Sequence, residues 1–135
     1  MTQPAELTIS VDADGDGAGA AADEVWSNFD RLGNRSIYHS DDHTPVVRDM
    51  LTLYRTLPKP TTNFYGVQKS AVKLSKDVTV DIPNGETTRS PIIFEISASV
   101  PVGADAADVL LLEERIKGLI NNRDFMTRLF IKAEV

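Results

Sequence analysis

Two short stretches of the chain carry residue types from which a metal site could be built. The first, residues 12–17 (DADGDG), places carboxylates at alternate positions ahead of a glycine, as in the first half of a calcium loop. The match is partial, because Asp23 occupies the twelfth position, where a bidentate glutamate is usual. The pattern predicts calcium held by Asp12, Asp14 and Asp16 or, alternatively, a surface turn that joins two strands.

The second stretch, residues 39–43 (HSDDH), contains two histidines four positions apart. Such a pair binds one ion when a helix presents both rings on one face. Here the following Thr44-Pro45 and the polar residues between the histidines are typical of a loop. We therefore interpret the stretch as a solvated loop, and calcium is the only cofactor for which the sequence offers a pattern.

The residues of a catalytic centre are not assembled anywhere along the chain. It has no cysteine, no G-x-S-x-G, no H-E-x-x-H and no glycine-rich phosphate loop. Glu113 and Glu114 stand beside Arg115 and Lys117, which fits the solvent-facing side of a helix better than a pair of catalytic carboxylates. The sequence predicts that the protein is not an enzyme.

The distribution of charge indicates a possible phosphate-binding surface. The net charge is -6, yet residues 48–76 hold six basic residues and one acidic residue. A local cluster of basic residues is what RNA binding requires even in an acidic protein. The alternative is that these lysines and arginines only keep a strand soluble.

Period-two patterns between residues 48 and 101 predict the sheet that would position these lysines. In the last segment Ile92, Phe94 and Ile96 alternate with polar residues such as Glu95 and Ser97. The segments 48–57 and 66–82 show the same alternation. We therefore expect consecutive antiparallel strands with one apolar face and one polar face, the polar face carrying Lys69 and Lys73.

After residue 101 the apolar period changes to that of a helix. Asp105 is a plausible N-cap, and residues 121–122 (NN) divide two helices. The expected organisation is one α+β domain over residues 1–135, with an N-terminal hairpin and loops (5–47), an antiparallel sheet (48–101) and two C-terminal helices (104–132). No apolar run approaches the roughly 20 residues of a membrane span, so no membrane partner is predicted.

In this order of elements the chain resembles the coat proteins of single-stranded RNA bacteriophages. The resemblance is carried by residues 54–63 (YRTLPKPTTN), by 66–69 (GVQK) followed by Lys73, and by 91–101 (PIIFEISASVP) leading into a capped helix. It covers residues 48–135 well and 5–47 loosely. The acidic turn at 12–17 and the acidic loop at 39–43 depart from the pattern.

The resemblance implies an obligate homodimer whose helices interlock with the partner's sheet, assembled into an icosahedral virion around a single-stranded RNA genome in the bacterial cytoplasm. Several family members also bind an operator hairpin and repress translation. The loop 83–90 would lie at the symmetry axes of the shell. By the same resemblance, the polar sheet face would bind RNA through Thr52, Tyr54, Lys69, Lys73, Thr79, Glu95, Ser97 and Ser99.

Two other classes of protein remain compatible with the residues. A small calcium-binding module would make the carboxylates of stretch 12–17 the functional centre. A dimeric adaptor that binds RNA or protein would share the sheet without forming particles.

Overall fold

The computed structural model describes residues 5–12 and 21–135 of the chain. Six strands precede two helices, which confirms the predicted α+β class. All six strands form one antiparallel sheet in chain order, so each strand pairs with its neighbours in the sequence. The elements are β1 (Glu6–Val11), β2 (Ala22–Leu32), β3 (Arg35–His39), β4 (Asp49–Thr56), β5 (Val67–Asp81), β6 (Thr87–Pro101), α1 (Ala106–Asn121) and α2 (Arg123–Phe130).

The sheet extends further towards the N terminus than the predicted range 48–101. Strands β1, β2 and β3 all belong to it, so the region 5–47 contributes strands to the sheet as well as loops. Within β2 the pairing with β3 shifts between Asn28 and Asp30, which leaves Phe29 as an extra residue in a bulge. The bulge disturbs the period-two pattern of β2.

The two faces of the sheet differ in chemistry as the alternation predicts. Residues directly opposite each other in an antiparallel pair share a face. Trp26, Tyr38 and Leu51 all lie on one face and form the buried core of the described chain. Leu7, Ile9, Leu53 and Val72 pack around this core. We call this face the apolar face and the opposite one the polar face.

The connection between β5 and β6 is shorter than the predicted loop 83–90. A tight turn at residues 82–86 is closed by the N–H of Ile82, which donates to the carbonyl of Glu86 at 3.0 Å. Gly85 takes a φ of +83° in this turn. Residues 87–90 then pair with the end of β5 as part of β6. The prediction that the loop continues to residue 90 was wrong. Residues 87–90 are of types that are common in loops, but here they extend the hairpin.

The two helices begin at capping side chains. The carboxylate of Asp105 accepts the N–H of Ala107 at 2.9 Å, as the N-cap prediction requires. Asn122 ends α1 and caps α2 by accepting the N–H of Phe125 at 3.1 Å. On the polar side of α1 the ammonium of Lys117 donates to Glu114 at 2.8 Å, and this bond raises the pKa of Lys117.

A positive φ at Gly66 makes this position a sensitive test of the sheet's geometry. Its φ is +94°, and a Cβ built there would lie 2.8 Å from the backbone nitrogen of Lys59. We expect Gly66→Ala to lower the free energy of unfolding by about 1–3 kcal/mol in a denaturant titration, because both the left-handed conformation and the backbone contact penalise a side chain. Gly33→Ala is the matched control, since nothing lies within 4 Å of its built Cβ. Equal stability of the two variants would contradict this account of Gly66.

Candidate nucleic-acid interface

The strand register places all eight of the predicted RNA-binding residues on the polar face. Lys73 lies opposite Thr52 on β4 and Glu95 on β6. Lys69 lies opposite Ser99 in the same way. The remaining three, Tyr54, Thr79 and Ser97, follow at alternate positions along the same strands. The sheet therefore brings the predicted set together on one surface.

The side chains of these eight residues differ in how much of their surface is exposed to solvent. Thr52 is buried, with 7% of its surface exposed, although it lies in the middle of the face. Lys73 and Tyr54 are half-buried, whereas Lys69 and Thr79 are exposed. The predicted residues of β6 are also exposed. Thr52 thus offers little contact surface of its own.

The middle of the polar face is cationic. From Lys69 to Ser75 on β5, and at the positions opposite them on β4 and β3, the charged side chains are Arg35, Lys69 and Lys73, with no carboxylate among them. Glu95 lies opposite Lys73 on the neighbouring strand, and Asp77 follows further along β5. A local excess of positive charge within an acidic chain favours binding of phosphate groups.

Two basic residues of this face were missed from the sequence. Arg35 lies opposite Tyr54, in a strand of five residues too short to show a clear period. Arg89 lies opposite Thr79 and donates from Nη1 to the carbonyl of Val46 at 3.2 Å. It belonged to the stretch predicted as a loop. Continuing the alternation of β5 across the turn would have placed Arg89 on the polar face.

The predicted calcium ligands are only partly within the described structure. Asp12 directly follows β1, whereas Asp14 and Asp16 lie outside the described residues. Among residues 5–12 and 21–135 there is no group of three or more side chains suited to hold a metal ion. Calcium binding by the stretch 12–17 stays a prediction. No helix in these same ranges is long and apolar enough to cross a membrane.

Large apolar side chains are exposed on α1 and on the apolar face of the sheet. None of the residues of α1 is buried, although its apolar stripe includes Leu112 and Ile116, which are 58% and 45% exposed. On the apolar face of the sheet, Leu74, Ile92, Phe94 and Ile96 are also exposed. Phe130 of α2 meets Phe94 with ring centroids 5.0 Å apart. One chain thus leaves two apolar surfaces exposed.

Comparison with solved structures finds the same fold in viral particles. The chain superposes on the protein of the virus-like particle of Wenzhou levi-like virus 4 with a TM-score of 0.73 and 22% identity, covering 96% of this chain and 87% of that one. For the virus-like particle of bacteriophage ESE058 the TM-score is 0.72 at 12% identity, with 99% of both chains covered. The coat protein of bacteriophage EMS014 gives a TM-score of 0.60 at 12% identity, covering 87% of this chain and 74% of that one.

In the comparison of sequences, no protein-family model and no curated protein matches the chain. The likeness is therefore one of architecture, extending over nearly the whole described chain. The resemblance drawn from the sequence is confirmed at that level, and the chain has the fold of the coat proteins that form the virus-like particles of levi-like viruses and bacteriophages.

Proposed function

We propose that the protein is a viral capsid protein whose homodimers assemble into a closed shell, with the polar sheet face directed inwards onto single-stranded RNA. The observation that carries the proposal is the pair of uncovered apolar surfaces, on α1 and on the sheet, in a chain with the fold of particle-forming coat proteins. Contiguous exposed apolar surface of this kind marks a protein interface.

The apolar stripe of α1 supports an interlocked dimer. If α1 of each chain lay across the apolar face of its partner, Leu112 and Ile116 would leave water together with the sheet residues beneath them. Completing the burial of a half-exposed leucine or isoleucine is worth roughly 1 kcal/mol per side chain. In a two-fold dimer both copies of α1 would contribute their apolar residues to the interface. The exposed large apolar residues of α1 are six, namely Leu110, Leu111, Leu112, Ile116, Leu119 and Ile120.

The edge of β6 supports the same arrangement. Among the described residues, β6 forms an edge of the sheet and pairs on one side only, with β5. It is 15 residues long, and an exposed edge of that length invites pairing with another chain. Antiparallel pairing of two β6 strands about a two-fold axis would join the sheets of two copies into one continuous surface. That pairing would also give both copies of the polar face the same orientation.

The polar face supports the RNA part of the proposal. Lys69, Lys73 and Arg35 lie on one surface, on the side of the sheet opposite the proposed helix contacts. A shell made of such dimers could present this surface to its interior, where the genome lies. Repression of translation through an operator hairpin, which the resemblance implies, would use the same face in the unassembled dimer.

Electron microscopy of the purified protein is the most direct test. We expect closed particles after expression, together with co-purified RNA measurable from the absorbance ratio at 260 and 280 nm. Size-exclusion profiles with only monomers or dimers, across salt and pH and with RNA added, would contradict a capsid role. A dimer that binds RNA but never forms particles would identify an adaptor instead. Calorimetric titration with calcium separates both from a calcium-binding module.

A further inference from the structure

The connection between β3 and β4, residues 40–48, contains a histidine ring that is bonded to the backbone of β4. The Nδ1 atom of His43 accepts the N–H of Asp49, the first residue of β4, at 3.1 Å. A ring nitrogen accepts a hydrogen bond only while it carries no proton, so His43 is here the neutral tautomer with its proton on Nε2. The bond to Asp49 is therefore available only to the uncharged ring.

Other hydrogen bonds fix the two ends of this connection. Ser40 donates its hydroxyl to the buried carboxylate of Asp49 at 2.6 Å and its N–H to the carbonyl of the same residue at 3.3 Å. At the other end the N–H of Arg48 donates to the carboxylate of Asp77 on β5 at 3.0 Å. Between these ends, the bond of His43 draws the middle of the connection onto the start of β4.

A second histidine lies against the first. The ring of His39 stacks on that of His43 with centroids 4.9 Å apart and planes 18° from parallel, and both side chains are half-buried. The ring of Phe29 lies 5.2 Å from His39 and 6.4 Å from His43. Two charged imidazole rings in such contact repel each other. Protonation of both rings would thus weaken their stack as well as the bond to Asp49.

The charged groups around the two rings are mainly carboxylates. Two of them reach the polar face near His39 from β1 and β2 by the strand register, and two belong to the connection itself. They are Glu6, Asp30, Asp41 and Asp42. On the apolar face, the ammonium of Lys76 lies 3.8 Å from the carboxylate of Asp49. A charged ring that has left Asp49 would find new partners among the four carboxylates.

We infer that protonation of His43 opens the β3–β4 connection, which makes this part of the fold sensitive to pH. The neutral ring holds the connection closed at neutral pH, and the closed arrangement is lost as the pH falls and the ring gains a proton. The carbonyl of Val46, in the same connection, accepts Nη1 of Arg89 at 3.2 Å. Opening would therefore also remove a partner from β6 close to the β5–β6 turn. The inference concerns the chain itself and goes beyond the proposed capsid role.

Hydrogen exchange of the whole protein, read by mass spectrometry on peptides that cover residues 40–49, tests the inference. Each exchange rate is divided by the rate of an unstructured chain at the same pH, which removes the direct effect of pH on exchange. We expect the protection of these peptides to fall about tenfold between about pH 7.5 and about pH 5.5, an interval in which histidine ordinarily gains its charge. Peptides from β5 should keep their protection.

Two variants assign the change to one ring. His43→Asn supplies an amide oxygen that can accept the N–H of Asp49 but gains no proton in this interval. Its peptides should be equally protected at the two pH values. His39→Asn is the matched control, because it removes the other histidine of the chain and should retain the fall in protection.

Three results would overturn the inference. The first is equal protection of the wild-type peptides at the two pH values. The second is a fall that persists in His43→Asn, because a carboxylate such as that of Asp49 would then be the titrating group. The third is a fall shared by the peptides from β5, which would mean that the whole fold loosens.

If His43→Asn does not fold, a pH titration of the wild type replaces it. Slow exchange of the Cε1 hydrogen of the His43 ring reports the protonation of that ring. Its midpoint should coincide with the midpoint of opening. An opening midpoint lower by about one pH unit or more, towards the range in which carboxylates titrate, would overturn the inference.

Discussion

Ile116→Asp is expected to abolish the soluble dimer. In the proposed dimer the side chain of Ile116 would be buried against the partner's sheet, and an aspartate there would be a desolvated charge without a partner. An uncompensated buried charge costs about 3–5 kcal/mol, and the two-fold axis introduces two of them. Size-exclusion chromatography with light scattering would then detect monomer or aggregate instead of dimer. Leu112→Asp, in the same stripe, should behave alike.

A charge change elsewhere on α1 provides the control for this experiment. Glu114 lies on the side of the helix opposite Ile116 by helical periodicity, and both side chains of its ion pair with Lys117 are exposed. Glu114→Lys should therefore leave the dimer intact, because an exposed ion pair contributes little to stability. A soluble Ile116→Asp dimer with unchanged thermal stability would show that the apolar stripe of α1 does not form the interface.

The double variant Lys69→Gln/Lys73→Gln is expected to weaken binding to all RNA alike. The two lysines lie four residues apart on β5, about 13 Å at the usual rise, so they suit two separate phosphates rather than one base. Each lost phosphate contact should reduce the slope of log affinity against log salt by about 0.7–0.9, and the double variant by about twice that. Affinity measured at several salt concentrations, with the RNA content of purified particles, tests this.

Lys76→Gln removes the same charge from the same strand but on the apolar face, so its slope should equal that of the wild type. The ammonium of Lys76 lies 3.8 Å from the carboxylate of Asp49, and that carboxylate also accepts the hydroxyl of Ser40 at 2.6 Å, a bond that the variant keeps. An unchanged slope in the Lys69/Lys73 double variant would exclude the polar face as the genome-binding surface, even if particles form.

The sequence was sufficient to predict the faces of β5 and β6, because their long period-two alternation leaves one arrangement that buries the apolar side chains. It also predicted Asp105 as an N-cap and a break between the helices at residues 121–122, since both depend on local hydrogen bonds. The faces of β2 were harder to predict. Trp26 and Phe29 are three residues apart, a spacing that also fits a helix, and Phe29 is the extra residue of the bulge. An inserted residue in a strand carries no clear signal in one sequence.

The rings of Phe29, His39 and His43 show a second limit of sequence reasoning. His39 and His43 were interpreted as parts of a solvated loop, yet their rings stack on each other and lie beside the ring of Phe29, which precedes His39 by ten residues. This contact depends on the register of β2 with β3 and on the hydrogen bond from the N–H of Asp49 to His43. Both are set by the sheet as a whole. In the same way Arg89 reached the polar face because the β5–β6 hairpin continues past the expected loop.

The unbroken chain order of the sheet bears on how the protein is made. Because every strand pairs with the one before it, the contacts within the sheet are local in sequence and require no long loop to close first, a topology that favours rapid folding. The sheet can form while the ribosome is still synthesising the helices, since domains fold from the N terminus during synthesis. The helices proposed to pack against a second copy follow the sheet in the chain and so emerge after it. Nascent chains translated from one messenger RNA would thus complete their own sheets before their helices could pack against another chain.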